Sequence, residues 1–298
     1  MTLPAWQEAP GRPIVPTIMI GVFDSGHGGL TILQTLARRL PDRRFVYLGD
    51  HANAPYGDRP AEEVFELTVR AVDRLFDQGC HLVILACNTA SMSLRRIQQT
   101  WLAQTRPERR VLGVVVPMIE VLTGLPWLAD PKTTPSPKPS STVAVFATRR
   151  TVEAGVYPQE IAKRAPQLTV EQMACPKLAA LIEQGAPETE LRHFVHRYVG
   201  ELLERLGDRP LDAALLACTH YPLVAELFQE ALPDSVALLS QPSPTAESLA
   251  AYLQRHPEMD AISPGGVSFY TTGDPTRISA MASSFYGGET RFIGMKRI

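Results

Sequence analysis

Short apolar runs rich in β-branched residues alternate with longer amphipathic stretches along this chain, and that alternation admits few folds. IMIGVF at 18–23 precedes LTILQTLARRL, RFVYLGD at 44–50 precedes AEEVFELTVRAVDRLFDQG, and HLVILAC at 81–87 precedes SMSLRRIQQTWLAQ. After VLGVVVPMI the pattern restarts with TVAVFAT, LTVEQMA, the helical ELRHFVHRYVGELLERL, DAALLACTHYP and VALLSQP. Parallel strands cannot be joined by a tight hairpin and need a helical crossover, so strands separated by helix-length segments predict βαβ units. The expected fold is α/β, in two similar lobes, each a mainly parallel sheet flanked by helices. A length of 298 residues suits two such lobes, each with its own core.

One segment interrupts the pattern. ADPKTTPSPKPSST, residues 129–142, is rich in proline, serine and threonine and predicts an exposed, semi-rigid insertion within the second lobe. A net charge of -2, with 20% charged and 45% hydrophobic residues, gives no pull toward nucleic acid or an anionic membrane. A small molecule is the expected partner. No run reaches the roughly 18 apolar residues of a membrane helix. The N-terminal MTLPAWQEAPGRPIVPTIMIGVF lacks a basic segment followed by an apolar helix, so no signal peptide and a cytoplasmic location are expected. There Cys80, Cys87, Cys175 and Cys218 stay reduced, and none sits in a CxxC pair.

Open parallel sheets present ligands at the C-terminal ends of their strands, and four polar loops follow predicted strands. In GVFDSGHGGLTIL, Asp24 and Ser25 precede Gly26, Gly28 and Gly29, which let the backbone turn tightly and approach a ligand. Asp24 also reads as a cap of the helix that follows. The spacing matches neither the dinucleotide GxGxxG nor the phosphate-binding GxxxxGK[ST] pattern. In YLGDHANAPYGDR, the Pro55–Tyr56–Gly57 turn offers amides or the Tyr56 hydroxyl to a ligand. His51 and Asp50 beside it read as a surface histidine and a neighbour, with no second carboxylate–histidine cluster to complete a metal site.

The other two loops carry cysteines in matching settings, HLVILACNTAS and DAALLACTHYP. Cys80 and Cys175 read as small buried hydrophobes. For Cys87 and Cys218 two readings stand, core filler or acid/base, because each leaves a strand where helix amides would stabilise a thiolate and lower its pKa. Asn88 and Thr89, and Thr219 and His220, add donors and a proton relay.

Taken in order, GVFDSGHGG, YLGDHANAPYG, ILACNTAS, GVVVP, ATRRTVEAGVY, ACPKLAALIEQG, LLACTHYPL and FYTTGDPTRISAMASSFYG resemble the glutamate racemases of the cofactor-independent aspartate/glutamate racemase family. The resemblance covers about residues 18–288. It implies an active site in a cleft between two lobes, lobe A being 1–112 plus 240–298 and lobe B 113–239. It implies no cofactor, no metal, and an amino-acid partner, glutamate, with no nucleic acid or membrane and with a homodimer among the possible assemblies. By motif, the catalytic residues are Cys87 and Cys218, supported by Asp24, His220 and Glu183. The substrate contacts are Asp24, Ser25, Tyr56, Gly57, Asn88, Thr89, Thr219 and His220. The chain departs from the family pattern at Val116–Pro117–Met118, at His27, at His51 and Asn53, and at Lys177, Ala179 and Ala180.

Racemisation removes an α-hydrogen from one face of an amino acid and returns one to the other. A pyridoxal enzyme would need a Schiff-base lysine, and none of Lys132, Lys138, Lys163, Lys177 and Lys296 is read at a strand-end motif. The resemblance implies instead two thiols on opposite faces, one as base and one as acid, and, with glutamate as substrate, a D-glutamate product for peptidoglycan synthesis. The alternatives are racemisation of aspartate or another amino acid, a cysteine-dependent decarboxylation, and a non-catalytic two-lobe amino-acid-binding protein.

Overall fold

The computed structural model describes residues 18–260 and 264–295. Residues 1–17, which include most of the stretch read for a signal peptide, and Lys296 lie outside the described residues. The strands are β1 Met19–Asp24, β2 Arg44–Gly49, β3 Cys80–Leu85, β4 Arg110–Gly113, β5 Ser141–Ala147, β6 Leu168–Ala174, β7 Ala213–Ala217, β8 Ala237–Leu239, β9 Gly266–Thr271 and β10 Phe292–Gly294. They form a six-stranded sheet, β10-β9-β2-β1-β3-β4, and a four-stranded sheet, β6-β5-β7-β8. Every pairing is parallel. The α/β fold expected from the alternating pattern is the fold observed.

Side chains of a strand alternate between its faces, and here both faces are apolar. Ile20, Val22, Leu82 and Ile84 of the larger sheet and Ala144, Phe146, Ala214 and Leu216 of the smaller one belong to a single central cluster. The alternate residues Phe23, Val83 and Leu85 join an outer layer, and Val143, Val145 and Leu215 join another. Two-sided burial is why the strands read as unbroken apolar runs.

The helix Ala61–Asp77 covers the outer face of the larger sheet. Its Val64, Leu67, Ala71, Val72 and Leu75 are buried at helical spacing, and Glu62 and Glu63 in the first turn and Arg74 in the last complement the helix dipole. The single helix expected over SMSLRRIQQTWLAQ is instead broken. A turn at Asn88–Ser91 gives way to a helix from Leu94, with a π segment at Ile97–Leu102. Residues 129–140 form an exposed connection from the helix Val115–Thr123 to β5. No helix among the described residues is long and apolar enough to cross a membrane.

Candidate active site

Parallel pairing puts the strand C-termini of each sheet at one edge, and the loops after β1, β3, β5, β6 and β7 all line one cavity. Asp24 closes β1 and is fully buried. Its Oδ1 accepts from the Gly26 amide at 2.9 Å, and its Oδ2 accepts from the Thr219 hydroxyl at 3.1 Å. It does not cap the following helix, whose N-cap Gly29 has no side-chain cap. Asp24 ties the loop after β1 to the loop after β7. Burial pushes its carboxyl up, partly opposed by the charge of His220.

The glycines make that meeting possible. A Cβ on Gly28 would lie 2.4 Å from Thr219 Oγ1 and 2.7 Å from His220 Nδ1. Gly28→Ala must therefore push the two loops apart, and overpacking of this kind costs about 1–3 kcal/mol. Denaturant unfolding should show that loss, accompanied by a drop in activity.

The loops after β3 and β7 carry the two thiols. Cys87 follows β3 and Cys218 follows β7, each is 5% exposed, and both line one cavity of about 520 Å³. Ser25 Oγ is 3.5 Å from Cys87 Sγ, and His220 Nδ1 is 3.8 Å from Cys218 Sγ. The Ala90 amide lowers the Cys87 pKa in the expected direction, but it is outweighed. Burial, then the Asp24 charge, push the thiol up to about 12. The helical turn Asn88–Ser91 is too short to carry a substantial dipole. Cys218 leads into a 3₁₀ turn, Tyr221–Val224, not an α-helix.

Behind Cys218 stands Glu183, on the short helix Leu178–Glu183. Its carboxylate accepts from His220 Nε2, from the His27 amide at 3.1 Å, and faces His27 Nδ1 at 2.5 Å. Burial raises the Glu183 carboxyl, but the charges and hydrogen bonds of His220 and His27 outweigh it and hold the group well below the usual carboxylate range. His220 is shifted the opposite way. Burial lowers it, yet the Glu183 charge and hydrogen bonds to Cys218 and Glu183 raise it well above 6.5. Both directions describe one buried ion pair.

His51 is not a surface histidine. It lines the same cavity with Nδ1 2.8 Å from Thr271 Oγ1, and burial, then the charge of His27, push it down to about 4. With His27 and Glu183 it forms the histidine–carboxylate cluster that the sequence did not show. The three come from separate loops, so no local spacing betrays them. Lys177, expected away from any strand end, lies just beyond β6 in the cavity wall.

On the Cys87 side the polar side chains are largely committed to one another. Asn88 Nδ2 donates to Gln241 Oε1 at 2.7 Å, and Tyr157 Oη donates to Asn88 Oδ1 at 2.9 Å. Thr89 Oγ1 is 3.0 Å from Thr148 Oγ1. The Tyr56 hydroxyl, expected to face a ligand, donates instead to buried Asp50 at 2.6 Å. Tyr56→Phe leaves Asp50 its bonds from Thr272 and Asn53 and should cost about 1–3 kcal/mol by thermal or denaturant unfolding.

Of the residues singled out from the sequence, Ser25, Tyr56, Gly57, Cys87, Asn88 and Thr89 line the cavity on one side, and Glu183, Cys218, Thr219 and His220 on the other. Asp24 lies behind the wall. Sequence reasoning missed His27, Thr148, Arg149, Tyr157, Gln241 and Arg277. Arg149 and Arg277 sit inside ATRRTVEAGVY and DPTRISAM, so the motifs held the signal without the roles.

No family model matches the chain. It is 49% identical over 279 residues to the glutamate racemase of Phenylobacterium zucineum, covering 92% of this chain and 98% of that protein. It is 48% identical over 280 residues to the glutamate racemase of a Caulobacter species, with the same coverage of 92% and 98%. Among solved structures, the glutamate racemase isoform RacE1 of Bacillus anthracis superposes with a TM-score of 0.78 at 28% identity, covering 94% of this chain and 98% of that one. The Francisella tularensis glutamate racemase in complex with D-glutamate superposes with a TM-score of 0.77 at 26% identity, covering 95% and 98%.

Proposed function

The chain belongs to the glutamate racemase family, and on that premise we propose that it interconverts L- and D-glutamate without a cofactor, by proton transfer between two cysteines. The observation that carries the reading is the pairing of two buried thiols, one at a strand end of each sheet, around one cavity. Each has its own neighbouring acid–base group, Asp24 for Cys87 and the His220–Glu183 pair for Cys218.

One cysteine, as thiolate, takes the α-hydrogen as a proton and leaves a carbanion. The other, as thiol, gives a proton to the opposite face, and the pair is restored by exchange with Asp24 and His220. The roles reverse for the other enantiomer. A Cys87 thiol held up to about 12 rests protonated, so substrate binding must accompany its deprotonation. Its neighbour Asp24, whose carboxyl is itself raised, is suited to receive that proton. Loop amides around Ser25, Gly57, Thr89 and Thr219 hold the substrate carboxylates and stabilise the carbanion.

Arg149, Lys177 and Arg277 in the cavity wall have no ion-pair partner among the described residues, and they favour an anionic substrate over Asp58 and Asp274. Residues 1–112 with 240–298 and residues 113–239 are taken as two lobes, a division that sheet membership supports apart from Gly113, the last residue of β4 in the larger sheet, and their closure would shield the carbanion from water. The implied setting is the cytoplasm, with D-glutamate going to peptidoglycan synthesis. Chiral chromatography after incubation of metal-free protein with L-glutamate or L-aspartate, without pyridoxal phosphate, tests the reading. Accumulation of D-glutamate is the expected result; turnover of aspartate alone, or of neither, overturns it.

A further inference from the structure

We propose that His27, His51 and Glu183 form a binding site for a divalent transition-metal ion, with zinc(II) the expected occupant, and that occupancy inhibits the enzyme. The hydrogen-bond partners settle where the ring hydrogens sit. His27 Nε2 is 3.2 Å from the carbonyl oxygen of Ile278, which can only accept, so Nε2 carries the hydrogen and Nδ1 faces Glu183 Oε1. His51 Nδ1 is 3.0 Å from the carbonyl oxygen of Gly49, again an acceptor only, so His51 Nε2 keeps its lone pair. That Nε2 atom is buried and has no hydrogen-bond partner.

Two imidazole nitrogens and a carboxylate oxygen thus converge, with ligand atoms all within 4.8 Å of one another. At most one proton, on His27 Nδ1, lies among three electron pairs. A zinc ion replaces that proton, which leaves to solvent, and it also satisfies the orphaned His51 nitrogen. Two histidines and a carboxylate suit zinc, whose bonds of about 2.0–2.2 Å place tetrahedral ligands roughly 3.3 Å apart. To reach that geometry the cluster must contract by roughly 1.5 Å at its widest, and the His27 Nδ1–Glu183 Oε1 pair must open by roughly 0.8 Å. Both ring N–H groups are held by backbone carbonyls, the outer-shell arrangement that fixes metal-binding histidines. All three residues line the cavity, so an ion can enter and water can complete its coordination.

Inhibition follows if the function proposed above holds. An ion on Glu183 competes with His220 for the same carboxylate and so withdraws the group supporting Cys218. The binding itself does not depend on that function.

The test is titration of chelator-treated full-length protein with cobalt(II), read by visible absorption, and with zinc(II), read by calorimetry. The two cavity thiols are the competing zinc ligands, so a double variant with Cys87→Ser and Cys218→Ser is titrated alongside. His51→Asn keeps an N–H for Gly49 but removes the Nε2 lone pair; His27→Gln keeps one for Ile278 but removes Nδ1. One ion per chain is expected, with visible cobalt bands, no sulfur charge-transfer band, and retention in the double cysteine variant. Affinity should fall at least about tenfold in each histidine variant, with circular dichroism identifying a folded one. Unchanged affinity in a folded histidine variant, loss of binding in the double cysteine variant, or no saturable binding overturns the site. Zinc that binds without slowing glutamate turnover overturns the inhibition. Absence of racemisation in the metal-free protein would instead count against the proposed function, since the cobalt spectrum reads the site regardless of activity.

Discussion

Cys87→Ala and Cys218→Ala are each expected to lower racemisation by at least about 10³-fold, the scale of a lost general acid or base, while leaving a one-sided exchange. Each variant keeps one thiol, and that thiol still reaches the α-hydrogen on its own face. In heavy water the remaining cysteine should remove that hydrogen and return deuterium to the same face. Labelling without inversion is then expected, in one enantiomer for Cys87→Ala and in the other for Cys218→Ala. Chiral separation followed by mass spectrometry checks both halves. A variant that still inverts at the parent rate removes its cysteine from the mechanism. Labelling of the same enantiomer by both variants would place the two thiols on one face. Neither outcome is compatible with thiols approaching from opposite sides of one cavity.

Glu183→Gln is expected to reduce turnover by about 10²-fold and stability by about 3–5 kcal/mol, the range for breaking a buried pair. The carboxylate serves His27 and His220 together, so the amide leaves two buried imidazoles without their counter-charge. The pH dependence has a defined sign. Glu183 is held below its ordinary 4.5, so its contribution is present above that value and is lost as the pH falls through the lowered one. His220 is raised above its ordinary 6.5, so its contribution is complete below 6.5 and is lost as the pH rises through the raised value. The pair therefore stabilises the fold across the neutral range, and Glu183→Gln should flatten that plateau. Unfolding of chelator-treated protein over a pH series checks this. A parallel downward displacement, with the plateau kept, would assign its stability to other groups.

Much of the fold was legible because it rests on local regularities. Helical spacing of buried Val64, Leu67, Ala71 and Leu75 marked one helix, and two-sided burial marked β1 and β3 as apolar runs. The break after Ser91 was not legible, since a π segment needs no residue that a regular helix forbids. Nor was the fate of the Tyr56 hydroxyl, which depends on Asp50 being turned inward beneath it.

The candidate site divides along the same line. Sequence alone established that polar residues and thiols stand at strand ends, because strand termination and glycine turns are written in neighbouring residues. It also supplied the motifs by which the family is recognised. Only the tertiary structure decided which of those groups meet. Asp24 and Thr219 bond across 195 positions, and His27 and Glu183 across 156. Likewise it decided how far burial adds to the neighbouring Asp24 carboxylate in raising the Cys87 thiol, since both act through space and together outweigh four residues of helix. His51 shows the limit most plainly. Its neighbours in the chain suggest a solvated turn, and its neighbours in space make it a buried nitrogen facing another histidine and an acid.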